Sequence, residues 1–125
     1  MVKTLITVAC VIALLIGGAI AETNYINKQF NEFNVVLCTL YEKVDEESAV
    51  EADVYAAQTF WLNKKKHLHA FIPHTEIKEI DLWLAEAVTL VRDKEWEDAI
   101  SKIEVLKELT EQIPKTFTIR WENIL

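Results

Sequence analysis

All three histidines of the chain lie in the ten-residue stretch HLHAFIPHTE. Imidazoles and carboxylates bind zinc and other divalent ions, but a site needs three or four ligands that converge on one point. His67 and His69 are two residues apart, so a helix would place them on nearly opposite faces. His67 and His74 could converge if the chain folds back at Pro73, and Glu76 could join them. One alternative is therefore a metal or small-ligand site formed by His67, His74 and Glu76.

A structural interpretation of the same stretch is favoured. Pro73 would set a turn between two helices, and His74 or Thr75 would cap the second of them. Phe71 and Ile72 would then close the end of the hydrophobic core. In this interpretation the histidines belong to a corner of the fold.

The corner also contains lysines that need a carboxylate. Lys64 or Lys65 would reach Glu76 across the turn, because an unpaired charge that is partly buried is costly. Trp61, one turn earlier, would cover the aliphatic stem of the lysine. We therefore predict a structural clamp made of Trp61, Lys65 and Glu76.

The rest of the sequence gives little sign of catalytic chemistry. No glycine-rich loop could hold phosphates, and no serine lies in a nucleophile-elbow motif. The four tryptophans fall at helical core spacings, and nothing indicates a haem pocket. We therefore predict a protein that is not an enzyme and that needs no cofactor.

Charge narrows the choice of partner. The formal net charge is −7, and the only charged residue before the long apolar run is Lys3. An acidic domain is a poor partner for nucleic acid, which attracts basic surfaces. By the same reasoning, the negative net charge argues against adhesion to anionic lipid headgroups.

The N-terminal stretch MVKTLITVACVIALLIGGAIAE contains no charge from Thr4 to Ala21. Its length is just enough to span a bilayer as a helix. It also resembles a signal peptide, because Gly17-Gly18 would interrupt the apolar run and Ala19-Ile20-Ala21 provides a small-x-small cleavage pattern. Residues 1–21 are therefore either a transmembrane anchor or a signal peptide, and retention is slightly favoured.

Both interpretations export residues 22–125 as one domain. Lys3 favours a cytoplasmic N-terminus, so the protein would cross the cell membrane once and place residues 22–125 outside. It would be secreted if it is cleaved after Ala21. Cys10 lies in the apolar segment, which leaves Cys38 alone in the exported domain, either pairing between chains or without a role.

Apolar residues recur at helical spacing along the remainder of the chain. The pattern predicts an all-α fold in which about four helices form an antiparallel bundle after the N-terminal helix. The first bundle helix continues the apolar segment without a breaker. Ser48 and Glu51 resemble a capping box for the second helix, and Pro114 would end the fourth.

Two surfaces could bind a protein partner or a second copy of the chain. One is a polar stripe on the first bundle helix, formed by Asn24, Asn27, Asn31, Asn34 and Cys38. The other is the apolar C-terminal tail around Trp121, which we expect to dock on the bundle.

Several of these stretches carry a resemblance to a known family. FWLNKKKHLHAFIPHTEIKEID, LVRDKEWEDAISKIEVLKELTEQIP and the closing ENIL, together with the apolar N-terminal segment, resemble the bacterial domain-of-unknown-function family 4363. The resemblance covers nearly the whole chain. It implies a small helical protein that is membrane-anchored or exported, and it implies no activity or catalytic residue. The resulting hypothesis is a non-catalytic interaction or structural protein of the cell envelope.

Overall fold

Four helices account for the fold in a computed structural model. The structure describes the main chain of residues 1–124 and the side chains of residues 1–116. The helices are α1 (Val2–Asp45), α2 (Glu51–Leu68), α3 (His74–Arg92) and α4 (Trp96–Ile124). The predicted all-α class and the number of helices are confirmed.

α1 is one continuous helix of 44 residues. At 1.5 Å per residue it is about 66 Å long. In its N-terminal part every residue up to Ala21 except Ala19 is exposed, and an 18-residue window there has a mean hydropathy of 2.5 with only 6% of the window buried. The helix passes through Gly17 and Gly18 without interruption. The flanking apolar residues are good helix formers and outweigh a cost of about 1 kcal/mol per glycine.

The C-terminal part of α1 belongs to the bundle. One face of it is buried at helical spacing, and this face consists of Ile26, Phe30, Phe33, Leu37, Leu40 and Val44. Burial at this spacing is what the apolar periodicity of the sequence predicts. α1 packs on α2 and α4, and α3 packs on the same two helices. Because connected neighbours are joined by short corners, the result is an antiparallel four-helix bundle with one central core.

The α1–α4 seam sets the register of the two longest helices. Near the end of α1, the Tyr41 hydroxyl donates to Glu104 Oε1 at 3.3 Å, and the Lys107 ammonium lies 4.6 Å from the centre of the Tyr41 ring. Burial, reinforced by the Glu104 charge, raises the pKa of Tyr41 above its ordinary value. One to two turns back along α1, Asn34 Nδ2 donates to Thr110 Oγ1 at 2.8 Å. α4 thus runs back along α1 towards the apolar segment.

At two of the three corners, the helix ends on a non-glycine residue in the left-handed conformation. Glu47 and Lys94 adopt left-handed φ angles of 56° and 58°. After each, the next amide returns to the preceding helix: Ser48 N–H donates to Lys43 O, and Glu95 N–H donates to Leu90 O, both at 2.9 Å. These are Schellman caps, which normally place glycine at the left-handed position.

The start of α2 differs from the prediction. Val50 is its N-cap, and the Val50 amide donates to Asp53 Oδ2 at 2.9 Å. The Ser48 hydroxyl instead donates to Lys43 O and so serves the end of α1. The predicted capping box of Ser48 and Glu51 is therefore wrong, because Ser48 belongs to the preceding cap.

α4 also extends further than predicted, since Pro114 lies inside it and does not end it. Pro114 and its neighbour Ile113 are buried. Packing of both residues on the bundle favours continuing the helix in spite of the missing amide donor. The main chain of the C-terminal tail is thus helical to Ile124. The expected docking of the tail, with Trp121 as a contact residue, falls on side chains outside the described set.

Candidate functional site

Trp61 on α2 lies at the centre of a cluster of polar contacts between α2 and α3. Its side chain is 1% exposed, and its ring packs against Phe33 and Phe30 of α1, with centroid distances of 5.2 and 6.1 Å. Its indole Nε1–H donates to Asp81 Oδ1 of α3 at 2.8 Å. The other oxygen of the same carboxylate accepts from Lys65 Nζ, also at 2.8 Å. One carboxylate therefore satisfies a buried indole and a half-buried ammonium.

The predicted clamp exists in a different form. Trp61 and Lys65 converge as expected, but the carboxylate that joins them is Asp81 and not Glu76. Glu76 lies in the first turn of α3, whereas Asp81 lies one and a half turns further along that helix. Asp81 is reached because α2 and α3 run side by side, so the contact spans the helix interface instead of the corner.

Lys64 forms a second connection between helices, this time towards α1. Its ammonium donates to Gln29 Oε1 at 2.7 Å and to the carboxylate of Glu32. It also lies 5.1 Å from the centre of the Phe60 ring. The hydrogen bond from Lys64 lowers the pKa of Glu32, whereas burial raises it. Because the hydrogen bond is the larger effect, the pKa of Glu32 lies below its ordinary value. The side chain of Lys64 therefore closes the α1–α2 seam.

The histidines are arranged differently from the metal alternative. His69 and His74 stack across the α2–α3 corner with a centroid distance of 6.0 Å, and all three histidines are exposed. Pro73 is the N-cap of α3, without a side-chain hydrogen bond, so His74 and Thr75 are helical residues and not caps. Phe71 and Ile72 do cover the end of the core, as predicted.

Among the described residues, no group of three or more histidine, cysteine, aspartate or glutamate side chains is placed to hold a metal ion. The imidazole that lies against His74 is that of His69, and two such rings make an incomplete ligand set. The site proposed from His67, His74 and Glu76 therefore gains no support from the geometry.

The asparagine stripe is divided by the bundle. Asn34 and Cys38 lie in the α1–α4 seam, where the Cys38 thiol donates to Asn34 Oδ1 at 3.5 Å. Thr110, the partner of Asn34, is 3% exposed and donates to Lys107 O at 2.7 Å. Asn24 and Asn31 are exposed, and Asn27 is half-buried. Only the N-terminal part of the stripe, formed by Asn24, Asn27 and Asn31, thus remains at the surface.

Sequence reasoning missed one concave surface. A groove of about 350 Å³ lies between α1 and α2, and its lining is mostly apolar. Val35, Val36 and Phe60 form its walls, and the Lys43–Asp53 ion pair, at 3.0 Å, closes one end. Val35 is 66% exposed. The signal in the sequence was an apolar residue at a position outside the buried stripe of α1.

Comparison with known proteins identifies the chain at the level of its family. The family model for a domain of unknown function (DUF4363) matches residues 20–124, which is most of the chain and the whole of the bundle. The protein belongs to the DUF4363 family. No curated protein and no solved structure matches it. The DUF4363 match begins at the point where α1 enters the bundle, so the Trp61–Lys65–Asp81 cluster lies within the family domain.

Proposed function

We propose that this DUF4363 protein is a membrane-anchored, non-catalytic helical module that presents its bundle outside the cytoplasm and acts through protein contacts. The observation that carries the proposal is the continuity of α1. Its exposed apolar part is long enough to cross a bilayer, and the same helix supplies six core residues of the bundle. An anchor built in this way is part of the folded domain.

The contacts that the polar side chains make between helices support a structural or binding role for the protein. Lys64, Lys65 and Asp81 tie helices together, and Asn34 and Thr110 bond across the α1–α4 seam. These five polar side chains are thus engaged in holding the bundle together. The exposed groove beside Val35 is a concave apolar surface of the kind that binds an apolar segment of another protein.

The proposed orientation is based on the charges around the apolar segment. Lys3 precedes it and Glu22 follows it, which favours a cytoplasmic N-terminus and an extracytoplasmic bundle. Retention of residues 1–21 is part of the proposal, because the helix shows no break near Ala21 at which a processed domain would begin.

Two measurements test the proposal. Intact mass spectrometry of the mature protein should give a chain that retains residues 1–21. Protease added to intact cells should digest the bundle, whereas a cytoplasmic control protein remains whole. A shortened chain released into the medium, or a bundle protected until the cells are lysed, would overturn the anchored extracytoplasmic assignment.

Protein contact is tested separately with a photo-crosslinking residue at Val35 in the full-length protein in its native membrane. The matched control is the same residue at Leu82, which is 56% exposed on α3. A discrete crosslinked protein seen from position 35 and absent from position 82 would support a partner in the groove. Equal labelling from both positions would contradict it.

A further inference from the structure

The corner between α2 and α3 lies at the end of the bundle from which the apolar part of α1 emerges. The rings of Tyr25 on α1 and Phe71 in the corner meet edge to face, with centroids 6.4 Å apart. From Ala21, the last residue of the apolar run, to Tyr25 is four residues, or about 6 Å of helix rise. The corner is therefore about one helical turn from the end of the apolar segment.

Charge is distributed unevenly along the bundle axis. The half nearer the apolar segment (the near half, residues 22–33, 60–81 and 110–124) contains seven lysines and arginines and seven acidic residues. The other half (the far half, residues 34–59 and 82–109) contains five lysines and arginines and thirteen acidic residues. The whole excess of negative charge thus belongs to the far half. The argument against contact with anionic lipid was based on the net charge of the whole domain. It does not hold for the near half, where the charges balance.

Within the near half, two acidic side chains are already engaged by lysines. Glu32 is bound by Lys64 and Asp81 by Lys65. The next residues, Lys66 and His67, are exposed at the end of α2. With the stacked pair His69 and His74 they form an exposed group, which we name the corner group. Its members are a lysine ammonium and three imidazoles, all of which can donate hydrogen bonds.

We infer that the corner group rests in the headgroup layer of the bilayer and binds lipid phosphates. This inference rests on the membrane anchoring proposed above. If the apolar run spans the hydrocarbon core, the headgroup layer covers roughly the next 5–8 Å on each side. That is the level of Tyr25 and Phe71, and aromatic side chains are favoured at this depth. Lys66 and the imidazoles then face phosphate oxygens, which accept their hydrogen bonds.

The geometry allows a direct test with the full chain. Cys10→Ala and Cys38→Ala remove the native thiols, and a single cysteine is placed at Ala70 in the corner or at Glu97 in the far half. Both positions are exposed, and they are about 30 Å apart along the bundle axis. Each variant, labelled with a fluorophore, is reconstituted into phosphatidylcholine vesicles that contain a lipid with a nitroxide on its headgroup. Flotation of the vesicles and circular dichroism verify insertion and folding.

The expected result is that the label at position 70 loses several times more emission than the label at position 97. Weak quenching at both positions, in protein that floats with the vesicles, would overturn the headgroup contact and leave the anchor intact. Strong quenching at both positions would overturn it too, because the bundle would be lying flat. Failure to float with vesicles would instead defeat the proposed anchoring.

A charge reversal tests the role of phosphate binding. In vesicles that also contain phosphatidylglycerol, Lys66→Glu should lower the quenching of the label at position 70. Lys94→Glu makes the same change at an exposed residue of the far half and should leave that quenching unaltered. If the two reversals behave alike, the corner group does not bind phosphate.

Discussion

Lys64 and Lys65 are consecutive in the chain, yet their ammonium groups bind carboxylates on different helices, that of Glu32 on α1 and that of Asp81 on α3. Successive residues of an α-helix point about 100° apart. Since α2 lies between α1 and α3 in the bundle, that angle directs the two side chains into the two seams that α2 forms. A pair of adjacent lysines thus fixes both neighbours of α2.

The first prediction concerns the independence of these two contacts. Lys64→Ala and Lys65→Ala should each lower the free energy of unfolding by about 1 kcal/mol, because both ion pairs are partly exposed. The double variant should show the sum within about 0.5 kcal/mol, since the two lysines share no partner. Denaturant unfolding of the full chain in detergent, followed by circular dichroism, measures this. A large coupling energy would mean that the two seams do not act separately.

The second prediction isolates the role of Asp81. Asp81→Ala should cost about 2 kcal/mol, because it removes the acceptor of a buried indole N–H and the partner of Lys65. Asp81→Asn keeps an acceptor for Trp61 and should cost less. Glu79→Ala, at an exposed position of the same helix, is the matched control and should stay within about 0.5 kcal/mol of wild type. Equal effects at positions 79 and 81 would exclude a stabilising role for the Trp61–Asp81 bond.

The third prediction is a pH dependence at the start of α2. The hydrogen bond from the Val50 amide, followed by that from Lys43, holds the pKa of Asp53 below its ordinary value of 3.8. Because the folded pKa is the lower one, the stabilisation is fully present above pH 3.8 and is lost as the pH falls through the folded value. Asp53→Ala should therefore cost about 1 kcal/mol at neutral pH and progressively less below pH 3.8.

Asp53→Asn and Glu51→Ala are the controls for this experiment. The Asp53→Asn variant keeps a neutral acceptor, so its stability difference from Asp53→Ala should vary little with pH. Glu51→Ala changes the residue that the sequence pattern had favoured, and it should cost only a few tenths of a kcal/mol. A greater loss in Glu51→Ala than in Asp53→Ala would restore the capping box predicted from the sequence.

The fourth prediction uses the left-handed residue at the α3–α4 corner. Lys94→Gly should stabilise the protein by about 1 kcal/mol, because glycine adopts a φ of 58° without the steric cost that a side chain incurs. Glu97→Gly, three residues later inside α4, should destabilise it by about 1 kcal/mol. Opposite signs in thermal unfolding would confirm the cap, and two losses of stability would contradict it.

The fifth prediction compares two faces of α1. Leu37 is fully buried and Val35 is 66% exposed. Leu37→Ala should cost about 2–5 kcal/mol through lost burial and the cavity left behind. Val35→Ala should lie within about 0.5 kcal/mol of wild type. Similar losses at the two positions would mean that α1 is rotated about its axis relative to the other three helices.

The sequence predicted the features that depend on repetition. Phe30, Phe33 and Leu37 repeat once per helical turn, and each of them is buried as expected. A repeated signal averages over many residues, so one exception does not change it. This is why the class of the fold, the helices and their buried faces could be derived from residue spacing.

Features that depend on the relative positions of the helices were harder to predict from the sequence. Asp81 replaced Glu76 in the clamp because the choice depends on how far α3 is shifted along α2. His74 faces His69 because the corner turns through Pro73 as a cap, which residue spacing does not reveal. The end of α4 was missed since the burial of Pro114 outweighs its local helix-breaking tendency.

Because α1 passes from the apolar segment into the core as one continuous helix, the bundle has no flexible joint relative to that segment. Membrane helices tilt by about 20° on average. Over the roughly 40 Å from the end of the apolar run to the acidic far end, such a tilt displaces that end sideways by about 14 Å. In the membrane-anchored arrangement proposed above, any change in the inclination of the apolar segment would thus be amplified at the far end of the bundle, with the bilayer surface as the fulcrum.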